Sequence, residues 1–252
     1  MDLPHGIDID YDALHALLAP GAGPPPADRT VASDLAAAAL RAVAEGRWDL
    51  PAIRHPLGFL CLPVLRDGAK GVCVHLFDSE DAEEDAGGAD LGDGTGGRDA
   101  GGGPGGRAPL VHAHSWSLVS LVLHGRVTNR SVRVVDDPVA PTHRVYEVRS
   151  GPDGTDEVRR TARLVRAEPG GSERSTSGDV YVVGPGEFHA TVVGGGRPAA
   201  TLVLGATLPG RSDMSLGPLR GEGHRSVREI CDREETVVAV RAALRRIDGP
   251  GD

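Results

Sequence analysis

Beyond residue 57 the chain is a succession of short runs rich in Val, Leu and Thr, set about ten residues apart and separated by Gly, Pro and Asp. The runs are Gly58–Leu65, Gly71–Phe77, Leu110–Leu123, Arg126–Val135, His143–Val148, Val158–Ala167, Val180–Val183, Ala190–Val193 and Ala200–Leu204. Repeated short strands with such turns specify an all-β sandwich or barrel. No long helical pattern separates the strands, which disfavours a parallel α/β sheet.

Helical signals are confined to the two ends. Asp10 is placed to cap a short helix through Leu18, stopped by Pro20. After the linker Gly21–Pro26, Ser33 precedes an Ala/Leu run to Ala44, and Gly46 ends it. At the other end Ser226 and Glu229 fit a capping box. Val227, Ile230, Cys231, Val237, Val238, Leu244 and Ile247 follow at helical spacing, and Gly249-Pro250 stops the helix. The expected organisation is a helical segment over 1–50, a β-barrel over 51–210, and a C-terminal helix and tail over 211–252. Residues 79–108 carry 11 of the 36 glycines and eight acids against two arginines. So few apolar side chains cannot offset the entropy of ordering, and a disordered insertion is expected there.

Composition removes several classes of function. A net charge of −9 without a basic cluster, and only eight aromatic residues, argue against nucleic-acid binding. No apolar run reaches the length of a membrane span, and no basic region followed by an apolar stretch marks a signal peptide. A cytoplasmic protein is therefore expected. Arg outnumbers Lys by 26 to 1, and with abundant Ala, Gly and Pro this resembles GC-rich bacterial coding. The single lysine, Lys70, lies in an apparent turn, a poor place for the desolvated amine of Schiff-base chemistry. The three cysteines, Cys61, Cys73 and Cys231, are scattered and imply neither a disulfide framework nor a zinc finger.

The histidines carry the chemical signal. His112 and His114 are spaced i, i+2 on a predicted strand, so both point to one face and can share one metal ion. The third ligand has to come from another strand, and His189, after a Gly-Pro-Gly turn, is the leading candidate. The run His112-Ala113-His114-Ser115-Trp116-Ser117-Leu118, with six residues to Gly125, resembles the first motif of the cupin superfamily. Gly178-Asp179-Val180-Tyr181-Val182-Val183-Gly184-Pro185-Gly186-Glu187-Phe188-His189 resembles the second in register, with Gly184 where that family usually has proline. The resemblance implies a mostly β cupin (double-stranded β-helix, jelly-roll) barrel with N-terminal helices and a C-terminal helix. It also implies one divalent metal held by His112, His114 and His189. Iron(II) is the expected ion, with Zn²⁺, Ni²⁺ and Mn²⁺ as alternatives.

One departure from the pattern bears on chemistry. The family's glutamate falls at Leu118 (Val119 with the longer spacing), so the ligand set is three neutral histidines. The uncompensated charge of the ion then favours an anionic thiol, carboxylate or enol substrate. The cysteine/thiol dioxygenases are similar in this respect and in their helical N-terminus. Their Ser-x-His-x-Tyr stretch has no counterpart in Thr201-Leu202-Val203-Leu204-Gly205. Tyr181 and Tyr146 are candidate hydrogen-bond donors to substrate, and Trp116 is a candidate wall of the site. Arg54 stands where thiol dioxygenases carry a carboxylate-binding arginine. His75 is placed to face the interior, and His124 to end a strand. Arg126, Arg130, Arg133 and Arg144 suggest a solvated strand face, and Glu187 a solvent-facing turn.

The expected function is a mononuclear iron(II) dioxygenase using O₂ and a small anionic molecule. The alternatives are a non-redox metal-dependent isomerase, decarboxylase or lyase, and a non-enzymatic small-ligand binder. No nucleic-acid or membrane partner is expected, and a homodimer through a sheet edge is an ordinary assembly for such barrels.

Overall fold

The computed structural model describes residues 8–18, 26–78, 111–151, 153–194 and 197–249. The Gly/Asp-rich stretch 79–108 and the linker 21–25 lie outside them. Helix α1 is Tyr11–Leu18 and α2 is Pro26–Ala44. Asp10 caps α1 as expected, its carboxylate accepting from the Ala13 amide at 2.7 Å. Helix α2 starts before the expected Ser33, at Pro26, a residue suited to a first turn whose amides lack intrahelical acceptors.

The strands are β1 (Ile53–Arg54), β2 (Phe59–Asp67), β3 (Lys70–Phe77), β4 (His112–Ala113), β5 (Leu118–His124), β6 (Arg126–Asp136) and β7 (His143–Ser150). They continue with β8 (Thr155–Thr176), β9 (Val180–Val183), β10 (His189–Val192), β11 (Ala199–Ala206), β12 (Asp213–Gly217), β13 (His224–Val227) and β14 (Glu229–Ile230). The expected single run Leu110–Leu123 is interrupted between β4 and β5 at 114–117, and β8 is far longer than Val158–Ala167. Helix α3 is Arg233–Ile247. Its capping box is Asp232 with Glu235, not Ser226 with Glu229. Ser226 and Val227 lie in β13 and Ile230 in β14, where Val227 and Ile230 are exposed rather than on a buried helix face.

Two antiparallel sheets result. The first runs β14-β1-β2-β3-β11-β5-β9 and the second β13-β8-β6-β10-β4-β12-β7. The chain crosses between them at each step from β4 to β6 and again from β8 to β12. That alternation is the winding of a double-stranded β-helix. Because β8 also pairs with β7, the second sheet closes on itself around Ala113, Val132, Val145, Val165, Ala167, Phe188 and Leu216.

The first sheet has two different faces. Leu62, Val64, Val72, Val74, Val119, Leu121, Leu202 and Leu204 face the three helices and form the main core with Leu14, Leu18, Leu40 and Val240. The alternate residues face the second sheet, as strand geometry requires. No described helix is long and apolar enough to cross a membrane.

Candidate metal centre

Pairing of β4 with β10 sets His112 directly opposite His189. His114 follows just beyond β4, two residues along, and returns to the same side. The ring centroids are 4.3 Å apart for His112–His189, 4.9 Å for His112–His114 and 5.3 Å for His114–His189. One ring nitrogen from each lies within 4.8 Å of the others, a group able to hold one ion.

The two motifs are tied together by backbone. Gly184-Pro185-Gly186-Glu187 makes a turn closed by the Glu187 amide on the Gly184 carbonyl at 3.2 Å. Its third residue, Gly186, has φ +80°, a conformation that favours glycine. The Gly186 amide donates to the His114 carbonyl at 2.7 Å. The Ser115 amide donates to the Asp213 carboxylate on β12, also at 2.7 Å. Nδ1 of His189 lies 3.1 Å from the Glu187 carbonyl. A carbonyl can only accept, so Nδ1 carries the proton and Nε2 offers its lone pair to a metal.

Burial disfavours the charged form of His114 and His189. His114 is held well below the usual imidazole range by burial, reinforced by His112, His189, His75 and His55. His189 is also lowered by burial, partly offset by its Glu187 contacts. Neutral imidazole is the ligating form, so the donor set fits a divalent metal. No carboxylate belongs to the group among the described residues. Leu118, at the position of the glutamate in the cupin motif, is buried on the interior side with Val122, Tyr181 and Val183, whereas Val119 faces the helices.

The opposite wall is the inner face of the first sheet. Strand register lines up Cys61, His75, Thr201 and Val122 in one row, and Cys73, Val203, Ser120 and Tyr181 in the next. Tyr181 lies within this interior, its phenol raised above the usual range by burial beside Ser120 and Asn129. Ser120 Oγ, Thr201 Oγ1 and Asn129 Nδ2 are buried without a hydrogen-bond partner, so the contacts around Tyr181 are close without being closed bonds. The Trp116 ring is tilted against His114 with centroids 4.5 Å apart and lies beside Gly205, where a Cβ would collide with the indole.

Other expected residues lie elsewhere. Arg54 is paired with Leu60 on the helix side of β1, and its guanidinium meets Glu229 at 3.1 Å and Glu235 at 3.6 Å. The structure does not bring it to the histidines. The Tyr146 hydroxyl lies 2.8 Å and 2.9 Å from the Pro218 and Gly221 carbonyls, a structural anchor. Arg144 is no solvated side chain, since it donates to the carbonyls of Leu219 and Thr161. His124 ends β5 and is buried; His143 begins β7 beside Thr142. The Glu187 carboxylate accepts from the Gly184 amide at 2.9 Å within the exposed turn.

Two features escape sequence reasoning. His55, between β1 and β2, stacks on Phe59 at 4.3 Å and is pushed down to about 3 by burial, with His75 and His112 nearby. Its signal, a histidine before Pro56 in a strand connection, does not distinguish it from a surface loop residue. Cys61 and Cys73, 12 positions apart in the chain, are brought together with His75.

No family model matches the chain, and no curated protein does. Among solved structures it is similar to hydroquinone 1,2-dioxygenase PnpCD in complex with Cd²⁺ and 4-hydroxybenzonitrile, at 13% identity and a TM-score of 0.31. That match covers 58% of this chain and 63% of the other, so the chain spans less than two thirds of that protein. It is similar to hydroxypropylphosphonic acid epoxidase from S. wedmorenis at 11% identity, over 79% of this chain and 90% of that one, with a TM-score of 0.34. A conserved double-stranded β-helix protein from Klebsiella pneumoniae subsp. pneumoniae MGH 78578 is 15% identical over 65% of this chain and 87% of its own, with a TM-score of 0.30. Strand order and the histidine geometry define the class on their own: a cupin barrel, mostly β, with terminal helices and a three-histidine group suited to a divalent metal.

Proposed function

We propose that the chain is a mononuclear non-heme iron(II) dioxygenase acting on a small anionic thiol, carboxylate or enol, with His112, His114 and His189 as the metal ligands. The observation that carries this reading is an all-imidazole donor set converging within 4.8 Å on the inside of the barrel. Bound iron(II) would supply open coordination positions and a route for electrons between substrate and O₂. The protein's own part is positioning. His189 is oriented through Nδ1 by the Glu187 carbonyl, and His114 by the Gly186 amide on its own carbonyl. With no carboxylate in the group, the charge of the ion is left to attract an anion. Tyr181 stays protonated and faces Ser120 and Asn129, and Thr201 adds a second unsatisfied hydroxyl on the same wall. These groups suit hydrogen bonds to an oxygen-bearing substrate. Trp116 closes one side of the histidine group and narrows access for water.

The test is metal content by mass spectrometry, on wild type and His189→Ala purified from iron-supplemented cells. The expected result is about one iron per chain held by this site and lost in the variant, followed by O₂ uptake with a thiol, carboxylate or enol from a screen. Stoichiometric zinc or nickel with turnover independent of O₂ selects the non-redox reading instead. No metal after anaerobic reconstitution overturns the proposal.

A further inference from the structure

We propose that Cys61, Cys73 and His75 form a second metal site, selective for zinc(II), on the wall facing the three histidines. This inference stands on its own residues and does not rest on the iron reading. On β3, Cys73 and His75 are spaced i, i+2 and share the interior face; across β2, Cys61 is the direct register partner of His75. A register shift between Leu62 and Leu65 departs from simple alternation close to the pair. The two Sγ atoms and a ring nitrogen of His75 all lie within 4.8 Å of one another. Tetrahedral zinc with ordinary bond lengths needs donors about 3.5–3.8 Å apart, within reach of small side-chain adjustments.

The donor chemistry separates this group from the three histidines. Two thiolates and one neutral imidazole around Zn²⁺ give a net charge of zero, which can be buried against Phe59, Phe77 and Leu57 without a further counter-ion. Thiolate donors select zinc over the harder ions that an imidazole or carboxylate set accepts. Loading exchanges two thiol protons, released to solvent, for one zinc ion. The His75 ring is held by Phe59 at 4.4 Å, and Phe59 is itself stacked on His55. Three protein donors leave one tetrahedral position open. His75 stands in one row with Thr201 and Val122 on the inner face of the first sheet.

The experiment is anaerobic titration of the reduced, metal-free full chain with Co²⁺, read by near-ultraviolet thiolate-to-cobalt charge-transfer absorption. One equivalent is expected to develop this band and Zn²⁺ to abolish it. The band is expected to survive in a His112→Ala, His114→Ala double variant and to disappear in Cys61→Ser and Cys73→Ser. Cys231→Ser should keep it, because Cys231 lies outside the group. Absence of the band in wild type, with all three thiols shown to be reduced, overturns the proposal, as does its persistence in both serine variants. Loss of metal from the three-histidine group with the band intact counts against the iron reading alone.

Discussion

At the residue scale, Leu118 tests how the interior is arranged. Its side chain belongs to the buried cluster with Val122, Tyr181 and Val183, where the family pattern carries a metal-binding glutamate. Leu118→Glu places an ionisable group in that apolar layer, at a cost of about 2–4 kcal/mol to the metal-free protein. The added carboxylate is expected to tighten binding of a divalent ion at the three histidines, so that metal raises the variant's melting temperature more than it raises wild type's. Thermal melts with and without metal check this; an equal rise in both proteins would show that Leu118 does not look toward the histidines. The grouping of His112, His114 and His189 was legible in the sequence because i, i+2 spacing on a strand and a turn-bounded histidine are local patterns. His55 and the Cys61–Cys73–His75 group were not, because their proximity depends on which strands pair and in what register. The surroundings of Arg54 depend on pairing in the same way: β1 sets it beside Glu229 and Glu235.

At the scale of elements, the turn before β10 explains why glycine stands at 184. The Gly184 amide donates to the Glu187 carboxylate at 2.9 Å, and a Cβ there would lie 3.0 Å from that carboxylate. Gly184→Pro, which introduces the residue usual in the cupin motif, removes this donor and adds bulk against Glu187. A loss of about 1 kcal/mol is expected in urea denaturation, together with weaker metal retention because the same turn holds His114 and His189. Unchanged stability would mean that the amide bond contributes nothing. The C-terminal helix gives a second case. Both Ser226/Glu229 and Asp232/Glu235 have capping-box spacing, and the chain uses the second. The first is taken by pairing of β13 with β8 and of β14 with β1, a long-range gain that local spacing does not reveal. Asp232→Ala is expected to cost about 1 kcal/mol, and Ser226→Ala less than half of that.

Across the whole molecule, the linkage between the two sheets and the buried histidines controls stability. Arg228 lies between β13 in one sheet and β14 in the other, and its guanidinium grips Asp156 at 2.6 Å and 2.9 Å, with Ser150 donating to the same carboxylate at 2.7 Å. Arg228→Ala leaves that buried carboxylate without its counter-ion, held by Ser150 alone, and is expected to cost about 3 kcal/mol. Acid sensitivity is the complementary property. His124, under α3 on the helix side of β5, is pushed down to about 4 by burial and then by Arg246. An unfolded histidine titrates near 6.5, so below that pH the unfolded chain binds a proton that folded His124 refuses. Its contribution is therefore complete above about pH 6.5 and is lost as the pH falls toward 4. After allowance for solvent screening, the loss amounts to about 1–2 kcal/mol. In metal-free protein His114 and His189 add to the same slope, so the test compares two chains. His124→Phe is expected to unfold in urea with a stability that falls less between pH 7.5 and pH 4.5 than wild type's, by about 1–2 kcal/mol. Parallel pH profiles for the two proteins would remove His124 from the account of acid unfolding and leave it to the histidines inside the barrel.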